Sequence, residues 1–384
     1  MKKYSALLLI LIMILISGCS NILNSNKEIT PSTNSNLSAA SNQSQPIENS
    51  SADASNNTQA AIESEIAEIA QNTDVTVIDY NQVKPNESGQ IMVVMFHSFV
   101  ETYSDKGDNT YTTTFSEFEK LLEELYSKKY RLVSLTDMIN NNIDVPAGYI
   151  PMVFTFDDGS IGEFNLIEKD GKLVVNPRTA VGIMESFNEK HPDFGLNGTF
   201  YVNLGNKSTF KGAGTLTDGL NYLISKGFEI GNHTKNHVVL SGIKDSQGML
   251  EEIGGNQKIV NELVPGYTFN SFSLPCGEWS KKFKEYIFQG NYEGTEYKHS
   301  AVMLVGANPA PSPVSTKFDP LAIPRVRSTG KTKVDCDLSW WLDALSKGNS
   351  QYVSDGNPNT VTVPISKQEN VDMAKLNGKQ LITY

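Results

Sequence analysis

The sequence predicts an α/β fold built on a parallel sheet or barrel, on three observations. From Gln90 onward, short runs of apolar, β-forming residues alternate with amphipathic stretches of helical period, the pattern that packs helices on parallel strands. Two of those runs end abruptly in polar clusters. Met152–Phe156 leads into Asp157, Asp158 and Gly159, and Phe228–Asn232 leads into His233-Thr234-Lys235-Asn236-His237. Folds of this class keep their chemistry at the carboxyl ends of the strands, and both clusters fall there.

The amino terminus comes first in chain order. Lys2 and Lys3 precede the apolar run Ala6–Ile16, and Ser17-Gly18-Cys19 follow it. A basic start, a run too short for an ordinary membrane span and small residues after it read as an export signal. Leu15–Cys19 resembles a bacterial lipobox, which implies a signal over residues 1–19. Cys19 would then be the lipidated first residue of an exported chain, anchored to the outer face of the cell membrane. Residues 20–75 are rich in Ser, Asn, Ala, Gln and Thr. Such a segment buries too little apolar surface to offset its ordering entropy and reads as a disordered tether. Residues 76–330 read as the main folded domain and 331–384 as a C-terminal appendage. The formal net charge of −11 argues against a nucleic-acid partner, and a monomer is expected.

Within the folded part, Gln90–Phe99 reads as a buried strand ending near His97. Thr114 caps a helix with Glu117 completing a capping box, and Phe115, Phe118, Leu121, Leu122 and Leu125 form its core stripe. Arg131–Leu135 is a short strand and Thr136–Asn140 a helical turn. Pro146 and Gly148 mark the loop before the Asp157 strand. Glu163–Asn176 has the pattern of a hairpin turning at Lys169-Asp170-Gly171, inserted at the mouth of the site. Helices follow at Thr179–His191, Leu216–Lys226 and Gln247–Leu263, with strands at Gly198–Leu204, Phe228–Asn232 and Phe269–Leu274. HSAVMLVG, from His299, and LAIPRVRS, from Leu321, are the last strand-like pieces, and Trp340-Trp341 lie in a short tail helix packed on the barrel. Cys276 and Cys336 read as two free or buried thiols.

Two adjacent carboxylates leaving a buried strand repel each other and are costly to desolvate. A cation holding one of them relieves both problems. On a helical turn, His233 and His237 share a face and reach one metal ion together. Two imidazoles and one carboxylate are a familiar zinc set with an open position.

TFDDG followed by HTKNH resembles the first two motifs of the NodB-type polysaccharide deacetylases, carbohydrate esterases that remove acetyl groups. The resemblance runs roughly from Ile91 to Arg327, making residues 76–330 the catalytic domain. It implies a distorted (β/α) barrel of about seven parallel strands. It also implies Asp157 as general base, Asp158, His233 and His237 as ligands of a divalent metal, by default Zn²⁺, and an acetylated polysaccharide of the N-acetylglucosamine type as substrate. Leu274-Pro275-Cys276-Gly277 resembles the third motif, which makes the Cys276 backbone N–H the oxyanion donor. Two departures stand out. Ser273 occupies the place of an Arg that orients the base, leaving Arg325 or Arg327 to replace it. No His follows His299, which leaves His97 as the candidate acid. A glycan-binding lipoprotein that keeps the fold and metal site but is catalytically impaired is the alternative, and a solute-binding lipoprotein ranks below it.

Overall fold

The computed structural model describes residues 78–106, 109–328 and 334–384. The signal, Cys19 and the tether over residues 20–75 lie outside the described residues. Among those described, no helix is long and apolar enough to cross a membrane.

The main sheet has nine strands: β1 Gln90–Phe96, β2 Tyr130–Leu132, β3 Ile150–Asp157, β4 Thr199–Val202, β5 Glu229–Asn232, β6 Ser271–Ser273, β7 Ala301–Met303, β8 Ala310–Pro311 and β9 Val326–Arg327. Their order is β7-β6-β5-β4-β3-β1-β8, with β9 also on β1 and β2 on β3. Only β8 runs antiparallel, at Gln90 and Ile91. Met152 pairs with both Met92 and Leu132, and Thr155 with both Met95 and Thr199. Thus β2 and β4 share one flank of β3, β2 at its start and β4 at its end.

The sheet curls because one segment touches both of its edges. Ile323 bridges to Met303 of β7, and three residues later Val326 pairs with Val94 of β1. Seven parallel strands (β9, β1, β3, β4, β5, β6 and β7) therefore surround a common interior, as the resemblance implies. Gly306 is needed at this seam, since a Cβ there would lie 1.9 Å from the Arg325 carbonyl oxygen.

Side-chain alternation assigns the two layers. Met92, Val94, Phe96, Phe154 and Phe156 point outward to the helices, while Ile91, Val93, Val153 and Tyr201 fill the interior. The outer layer is strongly aromatic, with Phe156 stacked on Phe200 at 4.5 Å and on Phe96 at 5.3 Å. Helix α1, Phe115–Ser127, buries Phe115, Phe118, Leu122 and Leu125 on this layer, which matches the stripe read from the sequence apart from a partly buried Leu121. Its Thr114–Glu117 capping box is formed in both directions.

Several boundaries move. The expected strand at Arg131–Leu135 stops at Leu132 because Ser134 caps the next helix, Leu135–Ile139, by accepting from the Asp137 N–H. The hairpin forms at Leu166–Lys169 and Lys172–Val175, with Asp170 and Gly171 both at positive φ. A second hairpin, Gln289–Tyr292 with Thr295–Lys298, is absent from the sequence reading; its edge alternates exposed and half-buried residues and offers no apolar run. In the tail, helix Leu338–Lys347 buries Leu338, Leu342 and Leu345 in the main core, and Trp341 Nε1 donates to the Ala307 carbonyl at 2.9 Å. Cys276 and Cys336 are both free.

Candidate metal and acyl-transfer site

The carboxyl ends of β3, β5 and β6 converge with the closing segment on one buried carboxylate. Asp157 is the last residue of β3, and its side chain is 1% exposed on the interior face. Arg325 meets it in a bidentate pair, Nη1 donating to Oδ1 at 2.8 Å and Nη2 to Oδ2 at 2.7 Å. Ser273 Oγ donates to Oδ2 at 3.1 Å and itself accepts from Arg325 Nη2 at 2.9 Å. The guanidinium is fully buried and fixed further by the Leu304 carbonyl and by Thr155 Oγ1. Burial alone would push the Asp157 carboxyl up; Arg325, joined by His233 and His97, outweighs it and holds the group well below the usual carboxylate range.

Asp158 turns away from its neighbour because its backbone takes φ +82°. Its Oδ1 lies 3.5 Å from His233 Nε2 and 3.3 Å from His237 Nε2. These three ligand atoms lie within 4.8 Å of one another. The two histidines are not on a helical turn, which corrects the geometry expected from their spacing. They sit on a loop after β5 that reverses twice, at Thr234 and His237, both with positive φ. Buried asparagines clamp the loop: Asn203 Nδ2 donates to the carbonyls of His233 and Thr234, and Asn232 Oδ1 accepts from the Thr234 N–H. Asn256 ties Asn232 to the Val202 carbonyl.

A divalent cation fits this set. Asp158 Oδ1 is buried without a hydrogen-bond partner. The His233 Nδ1–H donates to the Ser273 carbonyl at 2.8 Å, which leaves the Nε2 lone pair facing Asp158. Ligand atoms around a tetrahedral zinc stand about 3.3–3.5 Å apart, given bonds of about 2.0–2.2 Å, the spacing seen on either side of Asp158.

The remaining candidates fall into place around these groups. His97 lies in the break after β1, with Nε2 4.0 Å from Asp157 Oδ2 and Nδ1 buried without a partner. Burial lowers its pKa against the pull of Asp157 and Asp158. Cys276 is exposed in the turn Pro275–Gly277 at φ +55°, three residues beyond Ser273. Of the two arginines only Arg325 reaches Asp157; Arg327 lies over the Tyr111 ring at 5.6 Å. His299 is buried elsewhere, donates from Nδ1 to the Ile287 carbonyl and is pushed down to about 4 by burial. Glu163, unremarked in the sequence, is buried and held well above its ordinary pKa, first by burial and then by both aspartates, while accepting from the Ser160 N–H.

Residues 146–294 match the family model of the polysaccharide deacetylases. Residues 146–294 are a polysaccharide deacetylase domain. The matched span includes Asp157, Asp158, His233, His237 and Cys276 and leaves out both His97 and Arg325. Among solved structures, the deacetylase domain is similar to BC0361, a polysaccharide deacetylase from Bacillus cereus, at 16% identity over 67% of this chain and 69% of that one, with a TM-score of 0.47. It is similar also to the Streptococcus pyogenes deacetylase PplD in complex with acetate, at 15% identity over 66% and 97% of the two chains, TM-score 0.49. IcaB from Ammonifex degensii follows at 17% identity over 62% and 91%, TM-score 0.44. No curated protein matches the chain.

Proposed function

We propose that this deacetylase hydrolyses acetyl groups from a polysaccharide of the N-acetylglucosamine type, with a divalent metal on Asp158, His233 and His237, at the outer face of the cell membrane. The observation that carries the reading is the Arg325–Asp157 pair beside the three-ligand cluster. It keeps one carboxylate ionised, dry and separate from the metal ligands. A bound Zn²⁺ would act as a Lewis acid on the acetyl carbonyl and acidify water.

The chain's own groups supply the rest. Asp157, already ionised, takes a proton from the attacking water as the C–O bond forms. The Cys276 backbone N–H donates to the carbonyl oxygen as it gains charge. The C–N bond then breaks, and its nitrogen must gain a proton to leave as an amine. His97, 4.0 Å from Asp157, passes on the proton that Asp157 has taken, so the base is restored. Water is consumed, and acetate and a free amine result. The outer-face location rests on Ser17-Gly18-Cys19; incorporation of labelled palmitate, lost on Cys19→Ser, checks it.

The glycan-binding alternative draws on the missing motif Arg and the missing acid; an arginine on the closing segment, Arg325, pairs with Asp157 in place of the first. Acetate release from acetylated glycans by zinc-loaded chain, with and without a chelator, separates the two readings. Asp157→Asn should lower release by about 10²–10⁴-fold. Tight glycan binding with no release by the wild type would instead favour the alternative.

A further inference from the structure

The loops that carry His237 and Cys276 also wall a cavity of about 510 Å³, within the range of small-ligand sites. Ser241 and Lys244 come from the loop after β5, and Glu278, Trp279, Lys281 and Lys282 from the segment after β6. The two strands are neighbours, and the walls of the cavity begin four residues after His237 and two after Cys276. Its charge is opposite to that of the chain. Lys244, Lys281 and Lys282 are exposed, and among the described residues none of them forms an ion pair, although the whole protein carries −11. The one acid in the wall, Glu278, accepts a hydrogen bond from Ser241 Oγ. Trp279 is half-buried, with the Lys284 ammonium 4.2 Å from its ring centre.

A second cation points the same way from the other side of the site. Arg327 follows Arg325 by two residues, so on a strand it sits about 6–7 Å nearer the rim on the same face. Its Nε is buried without a hydrogen-bond partner, and its guanidinium lies over Tyr111. Tyr111 is 40% exposed and packs on His97 at 4.8 Å. A cation next to the reacting centre, with an aromatic ring beside it and no carboxylate partner among the described residues, suits an anionic substituent and the apolar face of a sugar.

We infer that the deacetylase acts on an acidic glycan: the cavity over Trp279 and Lys244, Lys281 and Lys282 binds a sugar bearing a carboxylate or phosphodiester next to the acetylated residue, and Arg327 binds another such group across the site. The inference rests on the deacetylase reading, and direct binding tests it without turnover. The substrates are three acetylated tetrasaccharides of equal length, one neutral, one alternating with uronate and one joined by phosphodiesters. With the intact chain, the anionic pair should be favoured in kcat/KM by about tenfold or more, the worth of one charge-assisted contact, through KM and with loss at high salt. Whichever anionic substrate is preferred names the substituent. Lys281→Gln/Lys282→Gln should erode the preference while leaving turnover of the neutral substrate unchanged, and Arg327→Gln, separately, should erode it through a raised KM for the anionic substrates. Equal rates on all three, or a preference that both variants retain, would overturn it. Calorimetric titration with the de-acetylated uronate oligosaccharide reads the same cavity without chemistry. Binding there with no acetate release would overturn the catalytic reading and keep the subsite, whereas release with no binding difference would do the reverse.

Discussion

At the scale of single residues, Arg325 decides what Asp157 is. A buried carboxylate in an apolar barrel tends to hold its proton, and the bidentate guanidinium reverses that tendency. Removing one partner of such a pair strands the other. Arg325→Met should therefore cost about 3–5 kcal/mol in urea denaturation, whereas adding Asp157→Asn to it should recover much of the loss, since no buried charge is left unpaired. The sign of the accompanying pH effect follows from burial. With Arg325 in place Asp157 stays ionised far into acid; without it the carboxyl pKa rises, so the acidic limb of the pH–rate profile should move to higher pH in Arg325→Met. A limb that stays where it is would separate Arg325 from the base. The sequence names this arginine only as one of two. Arg325 and Arg327 share a strand face, and nothing local in LAIPRVRS says which is level with Asp157.

Single elements were most legible where one local rule acts alone. Buried parallel strands such as β1 and β3 are unbroken apolar runs, and Thr114 with Glu117 announces a helix start. That cap is testable by itself: Thr114→Ala should cost about 1 kcal/mol, read as a lower urea midpoint with unchanged slope, and an unchanged midpoint would mean that packing alone sets the start of α1. The two turns of the candidate site were only half legible. Asp157-Asp158 and His233…His237 do meet in space, but the loop that brings the imidazoles together depends on positive φ at Thr234 and His237 and on Asn203, Asn232 and Asn256. Those asparagines lie in unrelated segments and carry no spacing signal. The Gln289–Lys298 hairpin was missed for a different reason, since its residues alternate without a large apolar set.

At the scale of the whole molecule, the tail is bound into the barrel by a buried polar knot far from Asp158, His233 and His237 in sequence. Glu87 accepts from the Thr362 N–H at 2.7 Å, from the Tyr352 hydroxyl at 3.2 Å and from the Asp355 N–H at 3.3 Å. Asp355 accepts from the Thr360 and Thr362 hydroxyls. Burial first, and then the Asp355 charge, push Glu87 up to about 8, and Lys379 is the nearby cation, itself lowered by burial. A carboxyl raised on folding binds more protons in the native state than in the unfolded one. Its contribution therefore falls as pH rises from about 4.5, the ordinary Glu value, to about 8. The denaturation midpoint should drop across that window, and Glu87→Gln, which keeps the neutral form, should flatten the drop. A parallel slope in both proteins would remove Glu87 as its source.

The seam of the barrel also bears on synthesis. Asp157 and Arg325 are separated by 168 positions, and the segment that carries Arg325 is the one that closes the ring. A chain emerging from its amino end holds Asp157 without its counter-charge until Arg325 has been made. Contacts of such long range are slow to form, and closing the ring is what gives Asp157 its counter-charge. A ribosome-bound or translocating fragment ending short of Arg325 has both motifs but lacks the guanidinium that fixes Asp157 in the folded barrel.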